Sequence, residues 1–323
     1  MASPNSVFTE LVSTTFRKHS KDIKDNVSKN NALLRRMMDK GQVRKEDGGL
    51  TIVSPLDYAE NGTYQRYSGY DVLNIGASDV ISAAEFQWRQ IAINVVASGL
   101  ELRTNSGSSR IINLVKSRMK NAMRTFKNNF SADVYSDGTL SNQINGLQAL
   151  VADTGTGTVG GIDSNTWAFW RNVVQSAAAP LQGGGAITPS ATTIESLMLP
   201  LWLELTRGDD QPDLIVMSND YYTFFEASQT SIKRYTDEVK ANAGFVSLKY
   251  KNADVIFDGG SGIPNAHAYF LNSDYLELVA HKDADMAIME EMKPYNQDAA
   301  VVPIIWMGNM CVSNRKLQGV MKA

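Results

Sequence analysis

The segment from about Ser108 to Phe130 constrains the fold more than any other stretch. Ile111, Val115, Met119, Ala122, Phe126 and Phe130 recur at steps of three or four and form one apolar stripe, with Ile112 and Met123 beside it. The spacing predicts a single helix of about 35 Å, long enough to be the spine of a domain. It is also a basic helix. No acid occurs between Glu101 and Asp133, while Arg103, Arg110, Lys116, Arg118, Lys120, Arg124 and Lys127 lie on or just before it.

A second basic element precedes it. Residues 1–45 hold ten Lys or Arg against four Asp or Glu, so a chain with a net charge of only −3 must be strongly acidic elsewhere. Two basic elements on an acidic body suit a protein with one surface turned to a polyanion; two solvated helix faces would give the same counts. Val7, Phe8, Leu11, Val12 and Phe16, then Ile23, Val27, Leu33, Leu34, Met37 and Met38, predict one or two polar helices within 5–40. Such an arm has too little apolar surface to stand alone and must lie on something else. Gly41 and Gly48-Gly49 close it.

Residues 50–98 differ in kind. Tyr58, Tyr64, Tyr67 and Tyr70 fall among turn signals at Asn61-Gly62, Ser68-Gly69 and Gly76, between β-branched runs at 51–53 and 91–95. The pattern predicts a long hairpin whose outer part, poor in large aliphatics, projects from the body and is covered by a neighbouring subunit. Near its end the apolar positions run Phe86 and Trp88, then Ile91, Ile93 and Val95. The alternation changes parity at Gln90, the mark of a bulge or of a strand that leaves one sheet for another.

From Gly146 the pattern is mixed. Helices are expected near 164–177, 192–207 and 218–229. Thr192-Thr193-Ile194-Glu195 fits a capping box for the second, and Pro200 should kink it or end it early. Strands are expected at 214–217, 254–257, 267–271, 275–280, 285–292 and 299–313. Strands and helices segregate instead of alternating, so the fold class is α+β. A chain of 323 residues forms one large or two modest domains and buries roughly 75% of its unfolded surface, needing no staple. One cysteine, Cys311, fits a reducing compartment. The start lacks a basic stretch followed by an apolar one, and no run of 18 apolar residues occurs, so neither a signal peptide nor a spanning helix is expected. The Asn61-Gly62-Thr63 sequon is read as a chance match.

Catalytic chemistry finds little support. Gly155, Gly157 and Gly160 spell G-x-G-x-x-G, but a dinucleotide site needs that loop between a strand and a helix, and Gly161-Ile162-Asp163 delays any helix. A flexible surface loop is the expectation. Asp153-Thr154-Gly155 resembles half of an aspartic-protease pair, and no second copy occurs. The three histidines, His19, His267 and His281, have no metal-ligand spacing. Cys311 sits in an apolar strand and reads as a small buried hydrophobe. Neither a metal nor a cofactor is expected.

The order of parts, with Gly146-Leu147-Gln148-Ala149-Leu150, the Gly/Thr loop, Gly161-Ile162-Asp163 and Trp170-Arg171-Asn172, resembles the major capsid (coat) proteins of tailed bacteriophages (Caudoviricetes), the Hong Kong 97-type fold. The resemblance covers essentially the whole chain. It implies an N-terminal arm over 1–47 and an extended E-loop hairpin over 48–99. It further implies a peripheral domain over 100–145 and 275–323, and an axial domain over 146–274. The implied function is self-assembly into pentamers and hexamers of an icosahedral shell enclosing double-stranded DNA, with no enzymatic activity and no membrane. Arg17, Lys18, Lys21, Lys24, Arg35, Arg36, Lys116, Arg118, Lys120, Arg124 and Lys127 become candidates to face the packaged DNA. Tyr58, Tyr64, Arg66, Tyr67 and Tyr70 become candidates to touch the next subunit. Assembly in a host bacterial cytoplasm, a virion location, a portal and a decoration protein are implied partners and setting. Only about 47 residues precede the hairpin, which favours a separate scaffolding protein over a built-in one.

The sequence departs from the family in one respect. Some members weld the shell by an isopeptide bond from an E-loop lysine, and this chain has no lysine between Lys45 and Lys116. Three other readings stand beside the capsid one: an encapsulin-like nanocompartment shell, another virion component, and a nucleotide-binding enzyme built on the 155–161 loop.

Overall fold

The computed structural model describes residues 31–104, 108–181, 187–229, 248–258 and 262–323. Of the basic arm it covers helix α1 (Ala32–Asp39), capped by Asn31 Oδ1, which accepts from Leu34 N at 3.0 Å. Leu33, Leu34 and Met37 are buried in the main core, so this end of the arm is fastened to its own body. Arg17, Lys18, Lys21, Lys24 and His19 lie outside the described residues.

A short polar strand, β1 (Val43–Glu46), follows and was not anticipated: Val-Arg-Lys-Glu has no apolar alternation to betray it. Next comes the hairpin of β2 (Thr51–Asp57) and β3 (Ile81–Gln87), in register from Thr51↔Gln87 to Asp57↔Ile81. One face, carrying Ile52, Leu56, Ala84 and Phe86, is buried in the core, and the other is exposed. The base of the hairpin therefore packs on its own chain. Extended backbone pauses at Trp88 and resumes as β4 (Arg89–Ser98), which pairs with a different partner. The parity change thus marks a strand changing sheets, two residues earlier than Gln90.

The spine helix, α2 (Ser108–Asp133), forms as the stripe predicts, with a helical turn Gly99–Thr104 before it. Met119 packs with Val95, Val302 and Ile304. Two turns on, Phe126 stacks on Phe130 (5.4 Å), and Phe130 meets Trp306 edge-on (4.9 Å). The surface that receives it is a five-stranded sheet of β1, β4, β12 (Leu276–His281), β13 (Ala287–Ile288) and β14 (Ala299–Val312). β14 pairs antiparallel with β4 through ten registered positions and with β12 through five, while β1 runs parallel to β12. The strand expected over 285–292 shrinks to two residues, although the chain stays beside β14 beyond them: Met289 N donates to Pro303 O (3.0 Å), and a lone bridge joins Met292 to Val301.

A six-stranded sheet holds the remainder, in the order β7 (Val173–Gln175), β15 (Gly319–Lys322), β11 (His267–Leu271), β8 (Leu214–Met217), β10 (Ala253–Phe257) and β9 (Leu248–Tyr250). All four residues of β8 are buried. Ile215 and Met217 face helices α3 (Ile194–Leu205) and α4 (Asn219–Ser228), and Leu214 and Val216 face the main core. A strand covered on both faces reads as an unbroken apolar run, which is why it was legible.

Three local expectations fail. The helix over 164–177 is a 3-10 turn, Ala168–Trp170, followed by β7, whose parallel pairing with β15 is a contact no local periodicity reports. Pro200 lies inside α3 without ending it: Ile194, Leu197, Met198, Leu201, Trp202 and Leu205 are buried, and that packing outweighs one missing hydrogen bond. The capping box is not made. Thr193 is the N-cap without a side-chain bond, and Glu195 accepts from Ser228 and Gln229 instead.

Candidate functional site

The glycine-rich segment is where resemblance and chemistry competed. Thr158–Val159 (β5) and Ile162–Asp163 (β6) pair as a hairpin with Gly160-Gly161 at its turn, both at positive φ (58° and 75°), as a two-residue hairpin turn requires. No helix follows, so nothing here can cradle a pyrophosphate. The flexible surface loop expected is in fact a fastened hairpin: Trp170 Nε1 donates to Val159 O at 2.9 Å, and Glu85 N of β3 donates to Gly160 O at 2.9 Å. A Cβ on Gly160 would stand 2.8 Å from Ala84 Cβ and 3.0 Å from Phe86 Cζ. The glycine lets the small hairpin brace the large one.

Beneath this brace lies Arg315, fully buried. Its guanidinium donates to Leu150 O (2.8 Å), Trp170 O (3.1 Å) and Asn172 Oδ1 (2.9 Å). Burial pulls its pKa down to about 10. Asn172 also clasps Ala152, accepting from its N–H (3.1 Å) and donating to its carbonyl (2.8 Å). Nothing in the sequence singles out Arg315, because Ser313-Asn314-Arg315-Lys316 looks like a solvated turn.

Beyond β2 and β3 the hairpin continues as an irregular tip, residues 58–80. Tyr58, expected to touch the next subunit, also has partners within its own chain. It is half-buried against Trp167 and Phe169 of its own chain, each 5.9 Å away between ring centroids. Tyr64, Tyr67 and Tyr70 are exposed by 81%, 65% and 106%, with Arg66 exposed between them. Val72, Leu73 and Ile75, not singled out from the sequence, are exposed alongside. The tip is ordered by polar bonds, among them Gln65 Nε2 to Val72 O (3.0 Å) and Asn74 Nδ2 to Gly62 O (3.2 Å). Six large aromatic or aliphatic side chains left in water on one projection mark a surface that expects a partner.

The basic candidates divide. Arg36 bonds Asp213 through Nε (3.0 Å) and Nη2 (2.9 Å) and reaches Asp254 at 3.4 Å, so its charge is balanced by carboxylates of its own chain. Burial alone would raise the Asp213 carboxyl, but hydrogen bonds from Ser273 and the Arg36 guanidinium hold it below the usual carboxylate range. Arg35 lies 3.9 Å from Asp39. Arg118 is also turned inward, bonding Glu101 and the Val96 carbonyl. Lys120 and Arg124 are exposed and Lys127 half-buried, and their spacing of four and three places them on one face of α2. The side chain of Lys116 lies outside the described residues.

Among the described residues no group of three or more His, Cys, Asp or Glu could hold a metal ion, and no helix is long and apolar enough to cross a membrane. Cys311 is buried, and burial raises its thiol far above the range of a nucleophile.

No family model matches the sequence, and no curated protein is detectably similar to it. Solved structures do match. The Cyanophage A-1(L) capsid asymmetric unit contains a chain that superposes with a TM-score of 0.65 over 87% of this chain and 90% of its own, at 16% identity. The chain has the Hong Kong 97-type capsid fold. A structure of Mycobacterium phage Bobi (TM-score 0.54, 7% identity, 88% and 89% covered) and the capsid of an empty GTA particle (0.53, 13%, 88% and 88%) share it. At such identities the common ground is architecture. The hairpin tip and the Lys120–Arg124–Lys127 face are two of the surfaces exposed among the described residues.

Proposed function

We propose that the chain is a major capsid protein, a subunit that closes into an icosahedral shell. The observation that carries this reading is the exposed tip of the hairpin, six large apolar or aromatic side chains on a chain whose fold along nearly its full length is that of a capsid asymmetric unit. A subunit alone leaves that surface in water, and a copy beside it covers it. Pentamers and hexamers supply such a copy at every edge, in slightly different settings, which a slender projection tolerates better than a broad rigid patch.

On this reading 1–47 is the arm, 48–99 the E-loop, 100–145 with 275–323 the peripheral domain and 146–274 the axial domain. The Lys120, Arg124 and Lys127 face lines the interior, where phosphate contacts release counterions and need no sequence specificity. The setting is a virion assembled in a bacterial cytoplasm, with a portal, a separate scaffolding protein and a decoration protein as partners. The role is structural, and no reaction is assigned.

Negative-stain electron microscopy of the purified protein, expressed alone and with its neighbouring genes, tests the reading. Closed shells, or capsomers that convert to them, are expected. A monodisperse monomer or dimer under both conditions would overturn it, and shells filled with a protein cargo instead of DNA would redirect it to a nanocompartment.

A further inference from the structure

Three segments distant in sequence meet at one half-buried point. His267 opens β11, Lys322 ends β15 on the neighbouring strand, and Asp153 lies in the turn that leads into the β5–β6 hairpin. His267 Nε2 stands 3.0 Å from Asp153 Oδ2, and its Nδ1 stands 2.7 Å from the Asn265 carbonyl oxygen. Both partners are acceptors only. A neutral imidazole carries one N–H and can satisfy one of them; the imidazolium satisfies both. The side chain of His267 is 13% exposed, so water replaces a lost partner poorly.

The surroundings favour the charged form. Asp153 supplies the counter-charge, and its second oxygen, Oδ1, is buried with no hydrogen-bond partner among the described residues. Lys322 Nζ lies 3.4 Å from the same Oδ2 and opposes a proton on the imidazole. Tyr269 stacks on the ring, with centroids 6.0 Å apart, and its hydroxyl is pushed up by burial and by Asp153, so it stays neutral. Asp220, at the start of α4, accepts from Ala266 N (2.9 Å) and from Ser218 Oγ, the same oxygen that accepts from His267 N (3.2 Å).

We propose that Asp153 and His267 form a proton-dependent clamp that holds the turn 153–157 against the paired ends of β11 and β15, two inner strands of the six-stranded sheet. The extent of what it governs follows from its neighbours. Ala152, just before the turn, is clasped by Asn172, and Val159, just after it, by the Trp170 indole, and neither contact involves a titrating group. The Gly157 carbonyl, which accepts from Ser164 N (3.2 Å) and Oγ (2.8 Å), closes the turn in the same way, so loss of the proton loosens residues 153–156 and leaves the rest of the brace in place. Burial works against a charged His267, but its hydrogen bonds to Asp153 and Asn265 outweigh it and raise its pKa. Asp153 is lowered, chiefly by the His267 hydrogen bond. A raised histidine stabilises fully below its ordinary value of about 6.5 and loses that contribution as pH climbs through the raised value. A lowered carboxylate stabilises above about 3.9 and fails as pH falls through the lowered one. The clamp is closed in mild acid and opens as pH climbs through the raised histidine value.

Hydrogen exchange followed by mass spectrometry on the full-length protein tests this in two ways. With rates corrected for intrinsic pH dependence, the peptide over 153–157 should lose protection severalfold between about pH 6 and pH 9. Peptides over β8 and over 158–163 should not. His267→Gln, which cannot titrate, should show no such dependence; dependence that persists in it, or none in the wild type, overturns the clamp. If that variant does not fold, exchange at the imidazole C2 position of wild-type His267 reads its titration directly. A midpoint above 6.5 that falls in Asp153→Asn is expected, and a midpoint at or below 6.5 is the contrary result.

Discussion

Arg315 and Asn172 meet at 2.9 Å in the closed interior, and through that contact one guanidinium organises the carbonyls of Leu150 and Trp170 and the clasp on Ala152. Among the described residues no carboxylate is bonded to the charge. It is held by oxygen dipoles, so no isosteric apolar residue can take its place without stranding those oxygens. Arg315→Met should cost about 3–5 kcal/mol of subunit stability, read as a lower midpoint in urea. A loss under about 1 kcal/mol would show that water fills the site and that the hub is dispensable.

The brace between the two hairpins rests on Gly160. Gly160→Ala meets both a positive φ and a Cβ that would press on Ala84 and Phe86, whereas Gly161→Ala meets a positive φ with nothing within 4 Å. The first should destabilise by about 2–4 kcal/mol and the second by about 1, in the same unfolding assay. Equal costs would mean that strain alone matters and that the close approach does not.

At the tip the expected outcome is a separation of stability from assembly. Tyr67→Ala and Tyr70→Ala remove exposed side chains and should shift unfolding by no more than about 0.5 kcal/mol. The same variants should lower the yield of closed shells seen by electron microscopy, more together than singly. Unaltered shell yield in the double variant would remove the tip from the contact between copies.

Reversing charge on the spine helix should act on the contents and not on the container. Lys120→Glu with Arg124→Glu changes two side chains exposed on α2, so shells should form but retain their genome less well, with a weaker dependence on salt. Genome release on heating, followed by nuclease sensitivity, measures this. Identical release curves would place the face elsewhere than against DNA.

With no lysine between Lys45 and Lys116, the hairpin cannot donate an amine to a covalent weld. Boiling particles in detergent should release a single species at 35.4 kDa. A ladder of covalent multimers would contradict this.

The parts of the fold that were legible from sequence are those whose burial has a local period. The stripe of Met119, Phe126 and Phe130 predicts its helix, and Leu214–Met217 predicts a strand covered on both faces. The parity change near Gln90 announced the change of sheet. β1 and β7 escaped notice because their pairing is parallel and distant, to Leu278–His281 and Gly319–Met321, and leaves no mark on the short segments themselves. Among the candidate surface residues, Tyr64, Arg66, Tyr67 and Tyr70 lie where the turn signals placed them. The intrachain contacts of Tyr58 and Arg36 were not legible, because their partners Phe169 and Asp213 lie more than a hundred residues away in the chain. Charge counting finds a basic helix, but only three-dimensional contacts separate Arg118, turned onto Glu101, from Lys120 beside it.

The strand that changes sheets at Trp88 also fixes a path for force. β3 belongs to the hairpin and β4 to the five-stranded sheet, and a single residue separates them. A pull on the tip from an adjoining subunit travels down β3 and arrives end-on at β4. There it loads the ten positions from Ala299↔Ser98 to Gly308↔Arg89 in parallel, as shear, instead of opening them one at a time. A shell of the proposed kind under internal pressure would thus hang each hairpin from the longest strand pairing among the described residues, and its reach would end in an inextensible root.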